Sequence, residues 1–294
     1  MKKLYLILTA IFVLIMLFGC SDNSNVTAPD GGDQIMLVQR PEFVDTRPQD
    51  VKDSYTITAS AAHLESSQKK PPQPPPDPEP GDDPNPNPPH KYALVIGISD
   101  YEGTANDLQF ADDDANEIAQ YFQGEGFSVT KITNRSATAD NIASALAALS
   151  TAADAGDEIA FFYSGHGDKL SVGSCIISTD LYYISHGYIM SYINATACSK
   201  VLVMLDACKI GSFLSDGLTG SVVATASNNT YSYDAPTLNN GAWTYYWLEA
   251  ANGSYVYAED CAEQAEIGMK AWASIYHVRV SPSHTDKYSG MFDM

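Results

Sequence analysis

Two stretches of this 294-residue chain carry side chains whose types and spacing suit a shared reaction. Ser164-Gly165-His166-Gly167 follows the apolar run Ile159-Ala-Phe-Phe-Tyr163, and Asp206-Ala207-Cys208-Lys209-Ile210-Gly211 follows Val201-Leu-Val-Met-Leu205. An imidazole and a thiol delivered to one edge of a sheet suit acyl transfer. The thiolate attacks a carbonyl, and the imidazole handles the proton that passes to the leaving amine. Glycines beside His166 let a peptide backbone approach. The N–H groups of Gly167 and Cys208 are candidate donors to a tetrahedral oxyanion, an effect of several kcal/mol in comparable sites. Each residue alone has a plainer explanation: a lone Cys after a strand is a small buried hydrophobe, and a His between glycines is a turn residue. Their joint placement at consecutive strand ends points to chemistry.

Such placement requires buried parallel strands, and the pattern supplies them. Tyr92–Ile98 is an almost unbroken apolar run, the mark of a strand covered on both faces. Ala111–Gln123 has Ala115, Ile118, Ala119 and Phe122 at helical spacing, with acids in the first turn, where the helix dipole favours them. A strand over Phe127–Thr133, a helix over Thr138–Ala153 and a strand over Asp157–Ser164 come next. A hairpin over Cys175–Ile184, a helix over His186–Ala197 and strands at Lys200–Asp206 and Ser221–Ser227 follow. Helices over Ala242–Ala251 and Asp260–Tyr276 complete the series. Strands alternating with helices imply an α/β fold with a mostly parallel sheet covered on both faces. Ligands in such sheets bind beyond the carboxyl ends of the strands.

The chain is 45% hydrophobic and 18% charged, enough for one core of about 200 residues with extensions. A net charge of −20 argues against nucleic-acid partners, which need clustered Lys and Arg, and against peripheral binding to anionic lipid. Lys2 and Lys3 precede an apolar stretch over Leu4–Phe18, too short for a comfortable membrane span, so residues 1–19 read as an export signal. Leu17-Phe18-Gly19-Cys20 resembles a bacterial lipobox. That resemblance implies cleavage before Cys20, acylation of its thiol, and a lipid anchor to the membrane. Ser21 after the cysteine favours the outer membrane or cell surface, by resemblance to enterobacterial sorting. Residues 20–70 are polar without period and read as a disordered tether. Residues 71–90 read as a proline-rich spacer, and the folded domain is expected over 91–294. In an oxidising compartment a disulfide among Cys175, Cys198 and Cys261 is possible, its pairing open. No Cys/His cluster has zinc spacing.

Several blocks, in order, resemble the caspase and metacaspase superfamily over Lys91 to about Tyr276. They are Ala93-Leu-Val-Ile-Gly-Ile-Ser99, Leu108-Gln-Phe-Ala-Asp-Asp-Asp-Ala115, Phe161-Phe-Tyr-Ser-Gly-His-Gly167 and Val203-Met-Leu-Asp-Ala-Cys208. Val223-Ala-Thr-Ala-Ser227 and Gly241-Ala-Trp-Thr-Tyr-Tyr-Trp-Leu248 follow. His166 and Cys208 lie 42 residues apart, near the roughly fifty of caspases. The resemblance implies a caspase-hemoglobinase-like three-layer α/β/α sandwich and a cysteine endopeptidase acting on peptides or proteins through His166 and Cys208. One departure stands out: Lys209-Ile210-Gly211 follows the nucleophile, where the family often has His-Ser-Gly or Arg-Gly.

In this superfamily the residue two before the nucleophile helps form the primary specificity pocket. An Asp there, as in metacaspases, implies cleavage after Arg or Lys, and this chain has Asp206. Asp114 matches the second pocket carboxylate of metacaspases by position. Two carboxylates at a pocket floor repel and favour a cationic side chain. The plainer readings are a cap for Asp206 and a dipole-favoured acid for Asp114. The run Asp112-Asp113-Asp114 raises calcium, which activates several metacaspases, but no EF-hand spacing accompanies it; no cofactor or metal is expected. His186, His277 and His284 read as surface or packing residues. Lys200 and Lys209 are candidate self-processing positions. The alternative function is a catalytically impaired caspase-fold binding or scaffold module. A nucleophile-elbow hydrolase fits less well, because no GxSxG occurs and the His precedes the nucleophile. Oligomeric state is open.

Overall fold

The computed structural model describes residues 37–45, 47 and 89–294. The expected signal peptide, the lipidation position Cys20 and nearly all of the proline-rich spacer lie outside the described residues. The centre is a six-stranded sheet, built from β2 (Lys91–Gly97), β3 (Ser128–Thr133), β4 (Glu158–Ser164), β8 (Lys200–Asp206), β9 (Ser221–Thr225) and β12 (Ser283–Asp286). Its order is β12-β9-β8-β4-β2-β3, and all pairs are parallel except β12 with β9.

Alternation along the central strands sorts their side chains into two cores, as a pleat must. Leu94, Ile96, Phe161, Tyr163, Val203 and Leu205 face α2 (Ala139–Ala152) and α3 (His186–Asn194). Ala93, Val95, Ala160, Phe162, Leu202 and Met204 face α1 (Ala111–Gly124), α5 (Ala242–Gly253) and α6 (Ala258–Tyr276). Both faces are therefore buried, which is why these strands read as continuous apolar runs. With the short α4 (Phe213–Asp216) and the two-residue strands β10 (Asp234–Ala235) and β11 (Asn240–Gly241), the result is the expected three-layer α/β/α sandwich.

The chain runs from β2 outward to β3, then returns to the other side of β2 to lay down β4, β8 and β9. The switch point lies between β2 and β4, and a crevice opens beyond their carboxyl ends. A second, antiparallel sheet flanks that crevice, in the order β1-β7-β6-β5. It comprises β1 (Leu37–Gln39), β5 (Gly167–Leu170), β6 (Gly173–Ile177) and β7 (Tyr182–Ser185). β6 and β7 form the expected hairpin. β1 was not expected: residues 37–47 fall inside the segment read as a disordered tether. The structure corrects that reading there, because Leu37, Val38 and Gln39 pair with Ile184, Tyr183 and Tyr182, and Phe43 is buried in the first core.

Cys175, Cys198, Cys208 and Cys261 are buried free thiols, with Cys261 on the opposite face of the sheet from Cys175 and Cys198. His186 and His284 are packing residues held by Asp216 and Glu266 respectively. Lys200 opens the central strand β8 opposite Glu158 of β4, and its ammonium pairs with Asp293 and Glu158.

Candidate active site

β4 and β8 are neighbours in register, Ser164 opposite Asp206. His166 and Cys208 each lie two residues beyond these positions, so the two chains deliver them to one cleft, which both side chains line. The Gly165 N–H donates to Asp206 O at 3.2 Å and ties the two loops together.

His166 is held on every side. Its N–H donates to Tyr101 Oη at 2.8 Å, and its carbonyl accepts from Tyr163 Oη at 2.7 Å and from the Ile177 N–H at 3.1 Å. The ring packs against Tyr101 (centroids 4.7 Å apart) and edge-on to Phe43 (5.1 Å). Its Nε2 lies 2.7 Å from the carbonyl oxygen of Asn106, in a single 3-10 turn over Thr104–Asn106. A carbonyl only accepts, so Nε2 carries a hydrogen and Nδ1 of the neutral ring is left with a lone pair. That is the tautomer a general base needs. No side-chain signal marks Asn106 for this role, because the group that orients the histidine is its main chain.

The Cys208 thiol sits against the backbone of Ser232, whose N–H points to Sγ at 3.3 Å and whose carbonyl lies 3.8 Å away. Burial pushes the thiol up to about 11, against the opposing pull of Arg47 and the Ser232 N–H. Gly167 abuts the same loop: a Cβ there would lie 2.3 Å from Cys208 O, so only glycine fits. Because the Ile177 N–H bonds His166 O, the next pair, Gly167 and Ile176, falls at a non-bonded position of the β5–β6 ladder. The Gly167 N–H therefore points away from β6 on the open edge of the small sheet. Among the described residues the Cys208 N–H donates to none. Both amides thought from sequence to serve an oxyanion thus border the cleft. Lys209, the departure from the family pattern, lines the same cleft and pairs with Asp168 at 2.9 Å.

Beside the thiol the wall is acidic. Asp206 lines the cleft; its Oδ2 accepts from Thr244 N (3.0 Å) and Thr244 Oγ1 (2.8 Å), and its Oδ1 from Ser232 Oγ. Asp114 is fully buried just behind, accepting from Ser164 Oγ (2.7 Å), the Gly241 N–H (2.8 Å) and Asn240 Nδ2 (3.2 Å). Gly241 and Thr244 begin α5, so both carboxylates are anchored on a helix N-terminus, where the dipole favours negative charge. A Cβ on Gly241 would lie 2.5 Å from Asp206 Oδ2 and 2.7 Å from Asp114 Oδ2, which shows how tightly that glycine is wedged against both acids. Burial first, then the Asp206 charge, raises Asp114 well above the ordinary carboxylate range; burial also raises Asp206, against its hydroxyl and amide donors.

A third acid, Asp234, was not expected. It is buried, lines the cleft with Asp206 and accepts from the Gln109 N–H at 3.1 Å. Burial raises it, with Arg47 opposing. Ser232, Asn240 and Thr244 also escaped the sequence reading: isolated polar residues in a loop, a two-residue strand and a helix's first turn carry no period, and their carboxylate partners lie up to 126 residues away. Asp112, the first acid of the run that raised calcium, is engaged by Ser99 Oγ and Asn134 Nδ2. Among the described residues no three His, Cys, Asp or Glu side chains are placed to hold a metal ion.

Helices on both faces of a mixed sheet, with a thiol and an imidazole at the carboxyl ends of adjacent parallel strands, define an α/β domain of caspase-like layout. Among solved structures, the Geobacter sulfurreducens protein GSU0716 shares the fold, with a TM-score of 0.54 at 17% identity. The alignment covers 69% of this chain and 95% of that one. No curated protein matches the sequence. The caspase domain model of the peptidase C14 family matches residues 90–288, and the chain belongs to that family.

Proposed function

We propose that this caspase-family domain is a cysteine endopeptidase that cleaves peptides after Arg or Lys. The observation that carries the proposal is the convergence of Cys208, an Nε2-anchored His166 and an acidic wall in one cleft. Cys208 attacks the scissile carbonyl. His166 Nδ1 takes the thiol proton and passes it to the leaving amine, restoring the neutral ring. The N–H groups of Gly167 and Cys208 receive the developing oxyanion. Asp206 and Asp234 meet the guanidinium or ammonium of the substrate, with Asp114 adding its field from behind.

The experiment is a fluorogenic peptide panel on the full chain and on Cys208→Ala. We expect hydrolysis after Arg and Lys, at least 1,000-fold lower in the variant, as for loss of a covalent nucleophile. Cleavage confined to sites after Asp would exclude the acidic wall as the specificity element. Activity equal to that of Cys208→Ala, both in the wild type and in variants that displace residues 37–45, would exclude the peptidase. We also propose, from Leu17-Phe18-Gly19-Cys20, that the mature chain is lipid-anchored through Cys20. Cys20→Ser should then move the protein from the detergent phase to the aqueous phase.

A further inference from the structure

The chemistry above uses nothing before residue 91, yet residues 37–45 and 47 lie across the cleft. β1 adds to the free edge of β7, and the Arg40 N–H donates to Leu181 O at 2.8 Å while its guanidinium stands over the Tyr183 ring at 5.3 Å. Phe43 then covers the His166 ring and packs edge-on against Tyr183 at 5.9 Å. Asn106, whose carbonyl orients His166, clasps the segment: its Nδ2 donates to Phe43 O at 3.1 Å, and its Oδ1 accepts from the Asp45 N–H at 3.0 Å. Arg47 follows. Its side chain lines the cleft with His166, Cys208, Asp206 and Asp234, and its Nε and Nη2 both reach Asp45 Oδ2 at 2.8 Å. Under this cover His166 is 4% and Cys208 8% exposed.

We infer that residues 37–47 are an autoinhibitory strap that occupies the substrate cleft, with Arg47 at the mouth of the acidic wall where a substrate's basic side chain enters. The inference rests on the peptidase reading for its purpose and on the packing alone for its geometry. Arg47 is bound to the strap's own Asp45, and its field also reaches Asp234 and the Cys208 thiol. The acids Asp206 and Asp114 remain anchored on α5. A substrate guanidinium that reaches them makes charge-assisted hydrogen bonds the strap does not make. The strap's described backbone hold is a three-residue strand on one sheet edge, a bond at Arg40 and the clasp of Asn106, with Phe43 packed into the first core; edge segments of this kind open more readily than central strands. It excludes peptides while closed and is displaceable by a partner or by cleavage upstream of the domain.

The test reads the thiol rather than the reaction. The full chain is alkylated with iodoacetamide under native conditions, beside Val38→Pro and Arg40→Pro, which remove N–H groups of β1 and its exit at an exposed edge. Cys208→Ala supplies the background from the other thiols. We expect Cys208 to be alkylated at least tenfold faster in both proline variants than in the wild type, with hydrolysis of an Arg peptide rising in parallel. Faster alkylation with no hydrolysis of any peptide upholds the strap while removing the peptidase. Equal alkylation rates in wild type and variants of native circular dichroism overturn the strap. Wild-type Cys208 reacting as fast as an exposed thiol of the same acidity overturns it without any variant.

Discussion

His166, Cys208 and Asp206 stand at the ends of strands buried on both faces, whereas Phe43, Asp45 and Arg47 ride on a three-residue strand at the edge of a small sheet. The first wall of the cleft is over-determined. Asp206 has three hydrogen-bond donors, His166 is fixed through its amide, its carbonyl and Nε2, and the loops behind them are tied by the Gly165–Asp206 bond. Among the described residues the second wall meets the first through Asn106, the His166 ring and Arg47 in the cleft. On the proposed peptidase and strap readings, the difference separates two requirements: reacting groups must be held to a fraction of an ångström, while the group that controls access must be able to leave.

Changes on the first wall should therefore be severe and changes on the second permissive. The largest expected effect within the pocket is that of Asp206→Asn. Removing one partner of a buried charge pair costs about 2–5 kcal/mol, so kcat/KM for Arg peptides should fall by two to three orders of magnitude. The loss should sit in KM, with Cys208 alkylation unchanged; a parallel change in alkylation would make Asp206 a scaffold residue instead.

The acids also set a pH dependence. Burial raises Asp114, Asp206 and Asp234, so protons compete with a basic side chain above the usual carboxylate range. For each proton displaced, kcat/KM for Arg peptides should fall up to tenfold per pH unit on the acid side. Stability of the unliganded chain runs the other way. An acid raised in the folded state stabilises it most when protonated, so stability should decline as pH rises through the raised values. Thermal melts of the inactive Cys208→Ala chain across the acid range check the sign.

Smaller effects test how tightly the first wall is tied. Tyr101→Phe leaves the His166 N–H without its acceptor and should cost about 1–3 kcal/mol in chemical denaturation. His186 joins Val172 O, at the turn between β5 and β6, to Asp216 beyond the nucleophile loop. Burial opposes its protonation, but the Asp216 carboxylate outweighs burial and raises it. A raised histidine contributes stability that is fully present below about pH 6.5 and is lost as pH rises through the folded value. Because the pair is partly solvated, Tm should fall by no more than about 2–4 °C across that window, and Asp216→Asn should flatten the change.

Much of the first wall was legible from residue order. Lys91–Gly97, Glu158–Ser164 and Lys200–Asp206 announce themselves because a strand buried on two faces has no polar position to interrupt it. His166 and Cys208 follow because open α/β sheets present their chemistry beyond such strands. β1 was not legible. Leu37-Val38-Gln39 is too short to show a period, and its partner is a strand some 145 residues further along. Asp234 was missed for a related reason: an acid in a loop looks like any solvated acid until the chain folds it against Asp206.

The amino-acid order by itself determined the layers, the parallel strands and the arrival of a thiol and an imidazole at one cleft, because these depend on local apolar runs and on where those runs stop. Only the tertiary structure decided which carbonyl orients His166, which acids line the cleft and that residues 37–45 and 47 lie across it. Those outcomes rest on hydrogen bonds and ring contacts between segments far apart in the chain. Such contacts follow from three-dimensional proximity and leave no periodic trace along the sequence.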